Sequence, residues 1–303
     1  MRDWHWRGVA LILNKTDDNG SMKLGSVKEL TLMANSMRQD VVRMLLPAES
    51  GHTAGPLGMA DIFSILFFHE MEYNASQPEW EGRDRFVLSN GHICPILYAA
   101  MARAGFFPLD ELSTLRKLGS RLQGHPSRAK LPGIENSSGP LGEGLAIACG
   151  MALSGKMDKA EWRVYCAMSD GEHQEGSTWE AVMLAAKYRL DNLVAICDRN
   201  YIQIDGNTED IMPLGDMAEK YRAFGWHAID VDGHDYAALM AALDEARATK
   251  GKPTMIIAKT VPGKGVSFAE NNYKWHGMAP KQEEAAKALA ELEAERGKIG
   301  QSG

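Results

Sequence analysis

Cysteine is scarce in this sequence. The 303 residues hold four, Cys94, Cys149, Cys166 and Cys197, widely spaced and without a C-x-x-C pair. That excludes a zinc ribbon, a thioredoxin-type redox motif and a disulfide framework, and predicts four reduced core thiols. Long apolar runs are also missing: none approaches the roughly 20 residues needed to span a bilayer, and the N-terminal run 8–13 is too short for a signal-peptide core. Excess positive charge is absent, with 33 Lys and Arg against 40 Asp and Glu for a net charge of -7. A protein whose main task is gripping nucleic acid or an anionic membrane is therefore not expected, and the cytoplasm is the expected compartment. The sequons at Asn74 and Asn136 carry meaning only in a secreted protein. No internal repeat or low-complexity segment is present. What remains is an ordinary globular balance of 45% hydrophobic and 24% charged residues.

The pattern along the chain predicts one α/β domain over 22–303, preceded by an N-terminal extension over 1–21 that lacks any clear period, with Met22 as an alternative start. Ser26 is a plausible N-cap with Glu29 three residues on, and Leu30, Met33, Met37, Val41, Met44 and Leu45 recur at helical spacing. Helices are expected over 58–71, 94–104, 145–154, 177–188 and 236–249, and strands over 85–89, 163–168, 193–197, 226–231 and 253–260. This alternation implies βαβ units and a mostly parallel sheet flanked by helices. The charged, Ala-rich stretch 281–298 reads as a solvated terminal helix. The segment 122–144, with five Gly and three Pro, is too long and irregular for a simple connection and is expected to be functional.

In open α/β sheets, ligands bind beyond the carboxyl ends of the strands. Ser169-Asp170-Gly171 follows one strand and Asp198-Arg199-Asn200 the next, with one helix between. If the two strands are parallel neighbours, Asp170 and Asn200 share an edge. Their hard oxygen ligands suit magnesium or calcium, with positions left open for phosphate oxygens and water. Gly171 would let the backbone approach those phosphates, beside the N-terminus of the following helix.

Further motifs stand in a fixed order: Ser-Gly-His at 50–52, Leu-Ser-Asn-Gly-His at 88–92, Gln-Gly-His-Pro at 123–126, Gly-Pro-Leu-Gly at 139–142, Glu175-Gly176, and Trp-His-Gly at 275–277. Together with Asp170-Gly171 and Asn200 they resemble the N-terminal, diphosphate-binding half of transketolase over about 25–280. The resemblance implies a thiamin-diphosphate-binding fold in which Asp170, Asn200 and the backbone carbonyl of Ile202 hold the metal. It places His92 and His276 near the diphosphate and the reacting centre, His52 and His125 on the sugar donor, and Gly139 and Leu141 along the cofactor channel. Gly171 belongs to the same cofactor site. Glu175 and Glu180 match acidic residues that connect two active sites through shared protons. His5, His69, His173, His227 and His234 are read as structural.

Ser169 replaces the family's commoner first Gly, and Thr53-Ala54-Gly55 departs from its usual Pro-Gly-Ala. The glutamate that activates the aminopyrimidine lies, in the family, in a following domain, as do the arginines for a sugar phosphate. The resemblance therefore implies a two-chain transketolase transferring a two-carbon ketol unit from a ketose to an aldose. A C-terminal partner would supply the pyrimidine side, in a heterotetramer with two copies of each chain. The alternatives are the α subunit of a 2-oxoacid or acetoin dehydrogenase complex and an inactive regulatory subunit of the same fold. The run 150–157 resembles a P-loop but carries Met157 where a hydroxyl is needed and lies at the end of a predicted helix. The glycines of 139–144 do not follow a strand, so a dinucleotide fingerprint is not supported.

Overall fold

In the computed structural model, which describes residues 16, 17 and 19–301, helix α1 (Val27–Ala48) begins at the expected cap. Ser26 Oγ accepts the Glu29 amide at 3.2 Å, and the Glu29 carboxylate in return accepts the Gly25 amide at 3.0 Å. The helix runs to Glu49, whose left-handed backbone (φ 51°) ends it. The helix expected over 58–71 is instead two short helices, α2 (Ala54–Gly58) and α3 (Ala60–Ile65), closed by a wide turn, Leu66–Glu70. The break falls where Gly58 packs against backbone: a Cβ there would lie 3.0 Å from the Val261 carbonyl oxygen.

The chain then alternates as β1 (Arg85–Leu88), α4 (Cys94–Arg103), α5 (Gly144–Asp158), β2 (Val164–Ser169), α6 (Gly176–Lys187) and β3 (Leu193–Arg199). A hairpin of β4 (Ile202–Gln203) and β5 (Gly206–Asn207) and the short helices α7 (Thr208–Ile211) and α8 (Met217–Ala223) follow, none of them expected from the sequence. Then come β6 (His227–Asp232), α9 (Tyr236–Ala248), β7 (Thr254–Lys259) and α10 (Gln282–Gln301). The five-stranded sheet has the order β1-β2-β3-β7-β6, and every pairing in it is parallel.

Strands β2 and β3 are buried along their whole length, because helices cover both faces of the sheet. Alternate residues point to opposite cores: Tyr165 and Ala167 join α1, α3, α4, α9 and α10 on one side, while Val164, Cys166 and Met168 meet α5, α6 and α8 on the other. All four cysteines are free and buried.

The terminal helix is not merely solvated. α10 buries Ala285, Ala288, Leu289 and Leu292 on one stripe against α1, and Asn35 Nδ2 donates to the Leu292 carbonyl at 2.9 Å. The spacing of those four residues is amphipathic, although charges surround it. Residues 1–15 of the expected N-terminal extension lie outside the described residues. Closer in, Thr16 bridges Met22, and the buried Ser21 hydroxyl donates to the Tyr73 carbonyl. Among the described residues, no helix is long and apolar enough to cross a membrane.

Candidate active site

The register of β2 and β3 sets Ser169 beside Asp198, so both strands end on one edge with Asp170 and Asn200 just beyond. Asp170 is fully buried. Its Oδ1 accepts the Gly171 amide at 2.7 Å, and its Oδ2 accepts the Tyr201 amide at 2.7 Å and Arg199 Nη1 at 3.1 Å. Burial raises its pKa, against the pull of Arg199 and the amides. Asn200 Nδ2 donates to Asp198 Oδ2 at 2.8 Å, leaving Oδ1 facing the Ile202 amide at 3.0 Å. This orients the Asn200 amide with its carbonyl oxygen as the remaining acceptor. Burial pushes the Asp198 carboxyl up to about 7, opposed by the Thr260 hydrogen bond and reinforced by Asp170. Tyr201, between Asn200 and Ile202, is held in the left-handed region (φ 61°) with Arg199 stacked over its ring at 4.0 Å.

Three histidines meet on neighbouring loops. The ring centroids of His52 and His92 are 4.9 Å apart, His52 and His276 5.4 Å, and His92 and His276 5.2 Å. His52 lies just before α2, His92 in the turn after β1, and His276 after β7. The Thr53 hydroxyl donates to the Met278 carbonyl and pins the last of these segments to the first. Burial, with neighbouring His276, holds His52 at about 4, and burial depresses His92 and His276 as well. All three are therefore neutral at physiological pH. His125 is exposed, and its pKa is lowered by partial burial and by Arg116. It faces Gly139, where a Cβ would lie 3.9 Å from its ring.

Gly55 joins the two halves of the edge. A Cβ at that position would lie 2.8 Å from Ile93 Cγ2, next to His92, and 4.0 Å from Asp198 Oδ2. The Thr53-Ala54-Gly55 departure thus puts its glycine at the close contact, where the usual Pro-Gly-Ala order would put an alanine. Gly142 takes φ +85°, and a Cβ there would lie 2.5 Å from Ser177 Oγ and 2.7 Å from Glu175 Cβ, so the 139–142 loop passes tightly over the start of α6. Leu141 is half-buried in that loop. Glu175 and Glu180 are exposed at the start of α6. The P-loop-like run 150–157 lies wholly inside α5 and opens no helix.

One residue of this edge was not singled out in the sequence. Glu172, two residues beyond Asp170, is fully buried. Its carboxylate accepts the Ser89 hydroxyl, the Gly142 amide at 2.8 Å and the Ser169 amide at 3.3 Å. It thereby ties the end of β1, the Gly-rich loop and the Asp170 turn together. Its only sequence signal is adjacency to Asp170-Gly171, because its partners are 83 and 30 residues away. A carboxamide cannot accept from all three donors, so Glu172→Gln should lose roughly 1–3 kcal/mol of stability by leaving a buried donor unpaired. Chemical denaturation reads this directly, and an unchanged midpoint would contradict it.

Unpaired buried polar atoms collect at the same edge: among the described residues they include His52 Nδ1, His276 Nδ1, both polar atoms of Asn90, Ser138 Oγ and Gln203 Nε2. Buried polar groups are normally paired, so these atoms fit a polar ligand. Among the described residues no three His, Cys, Asp or Glu side chains converge on a metal position. The available donors are two side-chain oxygens with neighbouring backbone, which suits a hard cation completed by phosphate oxygens and water. The residues present therefore fit a metal-diphosphate group.

The neutral histidines carry a stability cost at low pH. Below the free-histidine value of 6.5 the unfolded chain takes up a proton that His52 refuses until about 4. Stability should fall as pH drops from 6.5 to 4, by on the order of 3 kcal/mol from His52 alone, and this contribution should flatten below 4. Denaturation at pH 7.5, 6 and 5 should show that slope reduced in His52→Gln; an identical slope would contradict it.

A doubly covered parallel sheet with an Asp/Asn oxygen pair, a tight glycine loop and a histidine cluster at one carboxyl edge defines the diphosphate-binding half of a thiamin-diphosphate enzyme. The sequence matches the family described as "Transketolase, thiamine diphosphate binding domain" over residues 30–297. It is 40% identical over 267 residues to the 6-deoxy-6-sulfo-D-fructose transketolase subunit SqwG of Clostridium sp. (strain MSTE9), covering 88% of this chain and 97% of that protein. It is 39% identical over 266 residues to a subunit of the apulose-4-phosphate transketolase of Phocaeicola vulgatus, covering 88% and 94%. Among solved structures, transketolase from Leishmania mexicana superimposes with a TM-score of 0.80 at 34% identity, over 91% of this chain and 45% of that one. The chain belongs to the transketolase family. It spans less than half the length of curated proteins named simply transketolase, 42% of the human one, but nearly the whole of the two named subunits. Membership in this family sets aside the 2-oxoacid and acetoin dehydrogenase alternative.

Proposed function

We propose that this chain is the diphosphate-side subunit of a two-chain transketolase, and that Asp170, Asn200 and the Ile202 carbonyl hold magnesium, or calcium, on the diphosphate of thiamin diphosphate. The observation that carries the reading is the His52, His92 and His276 cluster on the same sheet edge as the Asp170 and Asn200 pair. When bound, thiamin diphosphate supplies the nucleophilic carbon that takes up the two-carbon unit. Gly171, Gly139 and Leu141 shape the channel for it, with Glu175 at the start of α6, and His92 and His276 lie against the diphosphate and the reacting centre. Neutral imidazoles both donate and accept, so His52 and His125 are suited to orient sugar hydroxyls, and His276 to move a proton at the reacting carbon's oxygen. The transfer itself is redox-neutral: the ketose loses two carbons to become a shorter aldose, and the acceptor aldose becomes a longer ketose.

The pyrimidine-activating glutamate is assigned to a C-terminal partner chain, in a heterotetramer of two copies of each. The named subunit relatives support a partner. So does α5, apolar nearly all round, and the exposed Met157, Met183, Leu184 and Tyr188 on the α5 and α6 layer. Glu175 and Glu180 lie on that layer, where they fit a link between two active sites. The free buried thiols suit the cytoplasm.

His125→Ala or His52→Ala in the assembled enzyme should lower kcat/KM for the donor ketose about ten- to a thousandfold while nearly preserving cofactor affinity. Steady-state kinetics beside calorimetric cofactor titration check it. An equal loss of cofactor affinity would show that these histidines serve the cofactor and not the sugar.

A further inference from the structure

Beside His52 opens a cleft of about 1020 Å³ whose wall includes Arg116, Ser50, Gly51, Ser113, Gly277 and Lys281. Arg116 holds a left-handed backbone (φ 59°), a conformation that is unfavourable for an L side chain and persists only where the surroundings impose it. Its amide donates to the Leu122 carbonyl at 2.9 Å, closing the loop ahead of His125. Its guanidinium then reaches two loops at once: Nη2 donates to the Gly124 carbonyl at 3.2 Å and Nη1 to Ser50 Oγ at 3.3 Å. Gly124 directly precedes His125, and Ser50 stands two residues before His52. The fit is close on the Gly124 side, where a Cβ would lie 3.0 Å from the guanidinium carbon, while a Cβ at Gly51 would be in ordinary contact, 3.8 Å from Nε. Both acceptors are neutral, so the cation spends its directional hydrogen bonds on loop geometry and keeps its charge toward the cleft.

We propose that Arg116 is a positioning residue that clamps the His52 and His125 loops at a fixed separation for sugar binding; this rests on the substrate role proposed above for those histidines. The planar fork suits the task, because two N–H groups diverge from one rigid centre where a lysine offers a single point charge. The same charge opposes protonation of both rings. His52 is faced by His276, Arg116, His92 and His125, and His125 by Arg116, His52 and His92.

The test compares Arg116→Gln and Arg116→Lys with His52→Ala and His125→Ala in the enzyme assembled with its partner chain. It reads donor kcat/KM against pH, cofactor affinity, and histidine ring titration of the full chain by NMR. Arg116→Gln should lower donor kcat/KM about ten- to a hundredfold, as expected for misplaced reacting groups. It should leave cofactor affinity within about twofold, move the acid limb of the profile upward and raise the His125 titration midpoint. Arg116→Lys should keep the acid limb in place yet recover only part of kcat/KM. If Arg116→Gln fails to fold, wild-type kcat/KM in Arg116→Lys alone overturns the clamp. An unmoved acid limb and His125 midpoint in Arg116→Gln, or kcat/KM within twofold of wild type, overturns the proposal while the histidine variants remain impaired. Unimpaired histidine variants would instead refute the underlying substrate assignment, and the clamp with it.

Discussion

Asn200→Ala or Asp170→Ala should weaken magnesium-dependent thiamin diphosphate binding by the assembled enzyme at least roughly a hundredfold, since removing a supporting residue around a metal already costs 10- to 100-fold. The two substitutions differ in what else they break. Asn200 is partnered through Asp198, so its loss removes one oxygen and leaves a buried carboxylate short of a donor. Asp170 lies at a strand end but is fully buried, and its loss strands the Tyr201 amide and weakens the hold on Arg199, which keeps Glu209. Asp170→Ala therefore also loses roughly 1–3 kcal/mol of stability for the unpaired buried group. Asp170→Asn, which keeps the shape and one carbonyl oxygen, separates the effects: the fold should survive while metal-dependent binding falls. Calorimetric titration with magnesium present checks all three, and unchanged affinity in both alanine variants would contradict the assignment.

The features readable in the sequence are those with short range. The short, continuously apolar runs of β2 and β3 and the reciprocal cap at Ser26 and Glu29 depend on residues a few positions apart. The Asp170 and Asn200 pair needed only one βαβ unit to be placed, and the register of Ser169 with Asp198 confirms their shared edge. Contacts across the chain left no such trace. Glu172 takes its meaning from Ser89 and Gly142, Asp198 from Thr260, and the α10 stripe from α1, which lies 257 residues away at Asn35 and Leu292. The helical run expected over 58–71 breaks just after Gly58, whose close approach to the Val261 backbone joins segments about 200 residues apart. The hairpin β4 and β5 is two residues per strand, too short for any periodic signal. His234, read as structural, does bond through Nδ1 to Asp61 at 2.7 Å and accept the Val261 amide on Nε2 at 2.8 Å, fixing the loop after β7.

The second large effect concerns the division of labour between chains. This polypeptide is proposed to hold the diphosphate end of the cofactor and orient the sugar, while proton removal from the cofactor depends on a glutamate of the partner. Binding and turnover should then separate. The isolated chain should have no ketol-transferase activity at any magnesium or thiamin diphosphate concentration, a loss far beyond that of any histidine substitution. Mass measurement of the reconstituted enzyme should give two copies of each chain. The most direct measurement is the two-carbon transfer rate from a ketose to an aldose, taken on the purified chain before and after addition of its C-terminal partner. The account predicts no transfer before and full transfer after; substantial sugar-dependent transfer by the chain alone would contradict it.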